Sequence, residues 1–195
     1  MRKIKVNEIF YSLQGEGYYT GTPAIFVRFS GCNLSCPFCD TQHQKGQFLS
    51  EDEICDEIAI YSARLVVITG GEPSLQLTNS LVDKIHSLGK TIAVETNGTH
   101  DLPEDIDWIT LSPKDEFCEN AKVVLDEVDE VKIVYDGEND PSKYLAIPAQ
   151  YYYLQPCDTG NKVENEKIIN RTVDYIKENI LWRISLQTQK ILKVR

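Results

Sequence analysis

Short apolar segments rich in β-branched residues alternate with helical segments along most of the 195-residue chain. This alternation predicts βαβ units that build a parallel sheet. Eight complete βα repeats would need about 250 residues, so the chain is too short for a closed eightfold barrel. We therefore predict an α/β fold with an open, partial (β/α) barrel. The predicted strands are 5–11, 24–29, 65–69, 91–95, 108–111, 131–135, 151–154 and 183–186.

Three helices are predicted between these strands from capping signals and periodicity. Ser50 and Glu53 form a capping box, which places a helix N-terminus at Ser50. A second helix is predicted over about 75–88, because Gly89 is typical of the residue just past a helix C-terminus. A third helix is predicted over about 164–179. Its apolar residues are expected on one face: Ile168, Ile169, Val173 and Ile176.

The composition is that of an ordinary globular protein, and we expect a single domain over residues 1–195. The formal net charge of −10 argues against nucleic acid as a partner, because phosphate binding uses clustered Lys and Arg. No apolar run approaches the roughly 20 residues that cross a bilayer. Asn7 and Glu8 also interrupt the apolar stretch that a signal peptide needs. We therefore expect a cytoplasmic protein with no membrane partner.

Residues with special chemistry follow several of the predicted strands. Because ligands gather at the carboxyl ends of parallel strands, these loops are expected to share one site. The segments are 32–39, Gly70-Gly71-Glu72-Pro73, Thr96-Asn97-Gly98, Ser112-Pro113-Lys114 and Gln155-Pro156-Cys157-Asp158.

Three cysteines, Cys32, Cys36 and Cys39, lie within eight residues of one another. Three thiolates on one short loop can hold a 4Fe-4S cluster and leave its fourth iron without a protein ligand. An electron carrier usually supplies four cysteines, so the open iron favours a site for a substrate or cofactor. A zinc site is the alternative, although it would usually show a second C-x2-C pair. Elsewhere, Cys55 is predicted in the core and Cys118 has no assigned role.

The C-x3-C-x2-C loop, followed by Gly-Gly-Glu-Pro after the next βα unit, resembles the radical S-adenosylmethionine superfamily. The resemblance implies the partial barrel of that superfamily and a cluster whose open iron binds S-adenosylmethionine. Cleavage of this cofactor gives a 5′-deoxyadenosyl radical that abstracts hydrogen from the substrate. The backbone at Gly71 and the region of Glu72 are implied to receive the methionyl ammonium. Without the cysteines, the same segment would indicate a plain strand-to-helix turn with Pro73 at the first helical position.

Further segments resemble the 7-carboxy-7-deazaguanine synthase family over nearly the whole chain. They are Ser12-Leu13-Gln14-Gly15-Glu16-Gly17, Arg28 within PAIFVRFSGCNLSCPFCDT, Asp40-Thr41, Ser112-Pro113-Lys114, Gln155-Pro156-Cys157-Asp158 and 183–190. The resemblance implies a lyase of 7-deazapurine (queuosine-type) biosynthesis that converts 6-carboxy-5,6,7,8-tetrahydropterin to 7-carboxy-7-deazaguanine. The implied reaction is a radical ring contraction with loss of ammonia, in which S-adenosylmethionine is regenerated and magnesium is needed.

The resemblance also implies roles for individual residues. The S-adenosylmethionine contacts are Phe38, Cys39, Asp40, Gly71, Glu72, Ser112, Pro113, Lys114, Gln155, Pro156, Cys157 and Asp158. The substrate contacts are Leu13, Gln14, Gly15, Glu16, Arg28, Thr69 and Asn97. Thr41 is the implied magnesium ligand, since Mg²⁺ prefers oxygen atoms. The alternative for Asp40-Thr41 is a turn with side-chain capping.

Two of the substrate contacts have a physical rationale of their own. The planar cation of Arg28 suits two parallel hydrogen bonds to a carboxylate. Its neighbours Phe26, Val27 and Phe29 predict partial burial, where an unpaired charge is costly. Glu16 can accept hydrogen bonds from the guanidine-like edge of a pterin.

The C-terminal segment departs from the family pattern. The family usually has Gln-Thr-His-Lys where this chain has Gln187-Thr188-Gln189-Lys190. Glutamine cannot act as a cation or an acid near neutral pH, so the departure concerns the substrate end of the site. The resemblance further implies a homodimer and an electron donor such as a flavodoxin. An activating enzyme for a glycyl-radical protein and a non-enzymatic iron–sulfur electron carrier are the alternative functions.

Overall fold

The computed structural model describes residues 3–39 and 45–194, and these residues build one mostly parallel sheet with helices against it. The described part of the chain contains nine strands, and all eight predicted strands are confirmed within a few residues. The strands are β1 Ile4–Leu13, β2 Pro23–Phe29, β3 Gln47–Leu49, β4 Leu65–Gly70, β5 Thr91–Thr96, β6 Trp108–Leu111, β7 Glu130–Tyr135, β8 Tyr151–Pro156 and β9 Trp182–Ile184.

The sheet has the order β3-β1-β2-β4-β5-β6-β7-β8-β9. Every neighbouring pair from β2 to β9 is parallel, whereas β1 pairs antiparallel with both β2 and β3. Among the described residues, the outer strands β3 and β9 do not pair with each other, so the sheet stays open. The predicted open, partial barrel is therefore confirmed. Its seven parallel strands direct their carboxyl ends to one edge, where the loops with special chemistry meet.

Four α-helices and two short 3₁₀-helices connect the strands in the described residues. They are α1 Glu51–Ala59, α2 Asn79–Ser87, α3 Lys162–Glu178, α4 Thr188–Leu192, and the 3₁₀-helices Pro73–Leu75 and Pro141–Ala146. The predicted capping box of α1 is confirmed, because the Glu53 backbone N–H donates to Ser50 and the Ser50 N–H donates to Glu53. The short elements β3 and α4 were not predicted.

The predicted start of the second helix at about residue 75 is wrong. Pro73 begins a single 3₁₀ turn instead, and α2 begins four residues after that turn ends. Thr78 is the N-cap of α2, because its side chain accepts from the Leu81 backbone N–H at 3.1 Å. A threonine cap was therefore the stronger helix-start signal.

The predicted apolar face of α3 is only partly correct. Ile168 is buried as expected, but Ile169 and Val173 are 41% and 39% exposed. The second fully buried position on the helix is Thr172, whose hydroxyl donates to the Ile168 carbonyl at 2.7 Å. Because this polar side chain satisfies its hydrogen bond within the helix, it can occupy a core position.

The core consists of the inward-facing residues of β1, β2, β4 and β5, which pack against α1 and α2. Cys55 packs against this cluster while remaining partly exposed, in line with its predicted core position. A second cluster packs α3 against β7 and β8. No helix among the described residues is long and apolar enough to cross a membrane.

Candidate active site

A cavity of about 610 Å³ opens at the carboxyl ends of the parallel strands. Most of the residues predicted to contact the cluster, S-adenosylmethionine or the substrate line this cavity. The loops that carry them are far apart in the sequence. From the predicted cluster and cofactor residues, the lining includes Cys32, Cys36, Phe38, Cys39, Gly71, Ser112, Lys114, Gln155, Pro156, Cys157 and Asp158. All seven predicted substrate contacts also line it: Leu13, Gln14, Gly15, Glu16, Arg28, Thr69 and Asn97.

Four predicted residues are not in this lining. Asp40 and Thr41 lie outside the described residues. Glu72 and Pro113 do not contribute to the wall of the cavity in the described part of the chain.

The cysteine loop follows β2 at the mouth of the cavity. The Leu34 backbone N–H donates to Cys32 Sγ at 3.4 Å, and the Cys39 N–H donates to the Cys36 carbonyl at 3.2 Å. The described residues contain no group of three His, Cys, Asp or Glu side chains placed around a single ion. A 4Fe-4S cluster binds each cysteine through a different iron. The three-thiol loop at an open cavity therefore fits a 4Fe-4S cluster.

Cys118, which sequence reasoning left unassigned, contacts this loop. Its sulfur lies 3.4 Å from Cys36 Sγ. Burial, together with this contact, raises the pKa of Cys36 to about 12. In the metal-free chain the Cys36 thiol is therefore neutral, and metal binding must displace its proton.

Gly71 joins the cysteine loop to the end of β4. The Glu72 backbone N–H donates to the Gly31 carbonyl at 2.9 Å, so the two loops run in direct backbone contact. A Cβ atom at Gly71 would overlap the Gly31 carbonyl oxygen. Gly71 therefore lets the two loops approach each other beside the cavity.

The Glu72 carboxylate is directed into the protein and binds the end of the neighbouring strand. It accepts from Thr96 Oγ1 at 2.6 Å, from the Asn97 backbone N–H at 2.7 Å and from the Ser74 N–H at 3.0 Å. The residue is only 1% exposed. Its carboxylate thus links the loops after β4 and β5.

The loops after β6 and β8 supply the charged groups of the cofactor end. Lys114 Nζ donates to the carbonyl and the hydroxyl of Ser112, both at 2.5 Å. Burial lowers the pKa of Lys114 to about 8. Asp158 accepts from Lys190 Nζ at 2.7 Å, and this bond with others from Gly160 and Asn165 lowers the Asp158 pKa to about 2.

Arg28 lies on β2 directly opposite Glu8 of β1. Its Nε donates to Glu8 Oε1 at 3.0 Å, and its guanidinium lies 5.9 Å from the centre of the Phe10 ring. The side chain is 25% exposed, so the predicted partial burial is confirmed. The ion pair fixes the guanidinium at the cavity wall, where it can contact an anionic ligand.

Two charged residues of the cavity, Glu95 and Lys132, were missed from the sequence. Lys132 Nζ donates to Glu16 Oε2 at 2.7 Å and to Glu95 Oε1 at 3.2 Å. Glu95 also accepts from Gln14 Nε2 at 3.1 Å and from Thr69 Oγ1 at 3.0 Å. Both residues lie in otherwise apolar strand segments, and charged residues are rarely buried unless paired. That contrast was the signal that could have identified them.

The C-terminal helix α4 fastens the loop that follows β1. Thr188 donates twice to the Gly15 carbonyl, from its N–H at 3.0 Å and from its hydroxyl at 2.9 Å. The side-chain amides of Gln187 and Gln189 each donate to Glu16 Oε1 at 3.0 Å. The divergent C-terminal segment therefore contacts the predicted substrate residues directly.

Known proteins resemble the chain in sequence and in structure. A model of the radical SAM superfamily matches residues 26–118. A curated 7-carboxy-7-deazaguanine synthase from Bacteroides thetaiotaomicron is 51% identical over 191 residues, which cover 98% of this chain and 98% of that protein. Another from Burkholderia multivorans is 39% identical over 212 residues, covering 97% of this chain and 98% of that protein.

Among solved structures, QueE from Escherichia coli matches with a TM-score of 0.76 and 27% identity, covering 94% of this chain and 93% of that one. SuiB from Streptococcus suis shares the fold, with a TM-score of 0.54 and 12% identity over 85% of this chain and 48% of that one. These findings confirm the resemblance drawn from the sequence motifs. With such identity over nearly its whole length, the chain belongs to the 7-carboxy-7-deazaguanine synthase family of the radical SAM superfamily.

Proposed function

We propose that this chain converts 6-carboxy-5,6,7,8-tetrahydropterin to 7-carboxy-7-deazaguanine by a radical ring contraction that releases ammonia. One observation carries the proposal: the cysteine loop, the glycine turn after β4 and a group of polar side chains line the same cavity. A radical generated at the cysteine loop therefore has a polar binding site within the same space. The 51% identity to a 7-carboxy-7-deazaguanine synthase supports this substrate class.

The cofactor end comprises the cysteine loop and the loops after β4, β6 and β8. A 4Fe-4S cluster on Cys32, Cys36 and Cys39 would supply the electron that cleaves S-adenosylmethionine to a 5′-deoxyadenosyl radical. The remaining residues bind and orient the cofactor. Their proposed members are Phe38, Asp40, Gly71, Ser112, Pro113, Lys114, Gln155, Pro156, Cys157 and Asp158, with Glu72 contributing through its position in the turn.

The substrate end lies on the other side of the cavity. Arg28 binds the substrate carboxylate, and the Glu8 ion pair keeps its guanidinium oriented for that contact. The polar groups of Gln14, Glu16 and Thr69 face the pterin ring together with Asn97. The loop backbone at Leu13 and Gly15 completes this end. Support comes from the position of all seven residues in the wall of the cavity.

Magnesium is part of the proposal through Thr41. A single hydroxyl with substrate oxygens and water suits Mg²⁺, which keeps several of its six positions for water. This assignment depends on the family to which the chain belongs, and it is tested by omitting the metal.

The proposal extends to the surroundings of the enzyme. We propose a single-domain homodimer that works in the cytoplasm and receives electrons from a flavodoxin-like donor, in line with the family. The net charge of −10 supports a small-molecule substrate over nucleic acid.

The test is anaerobic turnover after reconstitution with iron and sulfide. The enzyme is incubated with S-adenosylmethionine, a chemical reductant and the carboxytetrahydropterin, with and without Mg²⁺, and products are identified by mass spectrometry. We expect 7-carboxy-7-deazaguanine in the complete mixture, none with Cys36→Ala, and a lower rate without Mg²⁺. Release of 5′-deoxyadenosine without any deazaguanine would exclude the proposed substrate. No release and no change in the electron paramagnetic resonance spectrum on adding the cofactor would indicate an electron carrier.

A further inference from the structure

Lys132 is the most buried charged group at the substrate end of the cavity that the proposed reaction does not yet use. Its side chain is 7% exposed, compared with 14% for Glu16 and 24% for Glu95. Lys132 lies on β7, Glu95 lies on β5, and Glu16 lies in the loop after β1. One ammonium group therefore joins two carboxylates that are far apart in the sequence and places them next to each other.

The hydrogen bonds to Glu16 and Glu95 leave one acceptor position unused on each carboxylate. Within the described chain, Glu16 receives three donors: Gln187 and Gln189 on Oε1, and Lys132 on Oε2. Glu95 also receives three, from Gln14 and Lys132 on Oε1 and from Thr69 on Oε2. An ionised carboxylate has about four acceptor positions, so each retains about one. The vacant position lies on Oε2 in both residues.

We propose that Lys132 is a positioning residue that holds Glu16 and Glu95 as adjacent anions, so that their Oε2 atoms together accept two N–H groups of the guanidine-like edge of the pterin. The inference rests on the proposed function and deepens it by assigning how the ring is recognised. Lys132 itself needs no contact with the substrate, since its ammonium is already engaged by the two carboxylates.

Electrostatics explains why such a pair needs a buried cation. Two carboxylates that share a site repel each other, and one of them then retains a proton near neutral pH. A protonated carboxyl group presents one hydrogen-bond donor where the ligand needs an acceptor. With Lys132 in place, the Glu16 pKa falls to about 2, because the charge and hydrogen bonds of its neighbours outweigh the effect of burial. Glu16 is then an ionised acceptor, and Lys132 Nζ is shared with the Glu95 carboxylate beside it.

The neighbouring charges are consistent with this role. Glu130 lies two residues before Lys132 on β7, and its Oε2 accepts from the Tyr18 backbone N–H at 2.9 Å. Burial raises the pKa of Glu130, and its carboxylate is engaged by the loop after β1. The cation from the neighbouring strand end, Lys114, is engaged by Ser112 at the cofactor end. Within the described cavity, Lys132 is thus the cation that serves the two glutamates.

The test measures binding of the carboxytetrahydropterin to the reconstituted enzyme without reductant, by anaerobic calorimetry from pH 5.5 to 8.5. We compare the wild type with Lys132→Met, Lys132→Arg and the control Lys84→Met. Lys84 also contacts two carboxylates, Glu51 and Asp52, but on the exposed surface between α1 and α2. Iron content and thermal unfolding establish that each variant is folded and loaded.

We expect the wild type and Lys84→Met to bind with the same affinity and little dependence on pH. Lys132→Met should bind at least tenfold more weakly at pH 6 and recover part of that loss at pH 8.5, as the shared proton leaves the pair. Lys132→Arg, which keeps the charge, should restore most of the affinity and the flat pH profile. Lys132→Met binding with wild-type affinity at every pH would overturn the proposal, and so would a pH-independent loss that arginine does not rescue. If the wild type itself binds no pterin, it is the proposed function that fails.

Discussion

At the scale of single residues, the site depends on positions where no side chain fits. Gly71 lies against the backbone of Gly31, and the Glu72 amide binds the Gly31 carbonyl. The first residue of the cysteine loop, Cys32, directly follows Gly31. The shape of the loop that carries the thiols is therefore set partly by a glycine some forty residues further along the chain.

This contact predicts the effect of Gly71→Ala. The new methyl group would overlap the Gly31 carbonyl, so the cysteine loop must move, and we expect at least a threefold loss of iron bound after reconstitution. Gly89→Ala is the control, because a Cβ there meets open space while the positive φ of 70° still imposes strain. That variant should lose about 1 kcal/mol of stability and keep its iron. Equal iron content in the two variants would contradict the argument.

The sequence predicted which loops meet at one cavity where unusual residues lie close together. The cysteines and the Gly-Gly-Glu-Pro segment form compact motifs, so their place at the site was predictable. Glu95 and Lys132 belong to different strands, and only the parallel order β5-β6-β7 brings their side chains to one cavity. The motif around Glu72 was likewise recognised, but its carboxylate contacts were not predictable, because Thr96 and the Asn97 amide come from the end of a different strand, β5.

At the scale of elements, α4 shows how a short helix can shape a site through its contacts. It has five residues and no side-chain hydrogen bond at its N-terminus. Its order comes from the loop after β1, through the bonds of Thr188 to Gly15 and of Gln187 and Gln189 to Glu16. Local propensity gave no helix signal here, so α4 was missed, whereas the self-contained capping box of α1 was predictable.

The contact between Gln189 and Glu16 predicts how a titratable side chain would behave at position 189. In Gln189→His, the ionised Glu16 beside the imidazole would raise the pKa of the histidine above its usual value of about 6.5. A raised pKa contributes stability that is present below the unfolded value and is lost as the pH rises through the folded one. We therefore expect the difference in unfolding temperature, variant minus wild type, to be more positive at pH 5.5 than at pH 8.5. Thermal unfolding at the two pH values measures it.

Gln150→His provides the matched comparison for this experiment. Gln150 donates to the Asp129 carboxylate at 2.9 Å, but the contact is exposed to solvent. Screening should make the pH-dependent difference smaller there. A difference for Gln189→His that does not vary with pH, or does not exceed that of Gln150→His, would show that residue 189 is not held against an ionised Glu16.

At the scale of the whole molecule, the open sheet is bridged by a loop. The segment from Gln14 to Thr22 leaves β1 and reaches strands at the far side of the sheet. The Tyr18 N–H donates to Glu130 of β7, and the Gly17 N–H donates to Ser185, just after β9, at 3.0 Å. The partial barrel was predictable from chain length and strand number. This bridge was not, because single hydrogen bonds between distant segments leave no periodic pattern.

The bridge predicts a difference between two substitutions of Glu130. Glu130→Ala removes the acceptor of the Tyr18 amide and should cost about 1–3 kcal/mol, the usual penalty for a buried donor left without a partner. Hydrogen exchange of peptides covering residues 14–22 should accelerate, while exchange in β4 and β5 stays unchanged. Glu130→Gln keeps a carbonyl acceptor in place and should exchange like the wild type. Unchanged exchange in the alanine variant would contradict the bridging role.

The manner in which this loop crosses the sheet has a consequence for engineering. Its attachments are made by individual amides and side chains, while the inter-strand ladders from β2 to β9 do not involve it. The width of the reaction chamber can therefore be altered by grafting a different 14–22 segment with compensating changes at 130, 185 and 188. Such grafts should give access to larger or smaller heterocycles while the radical-generating half of the protein keeps its architecture.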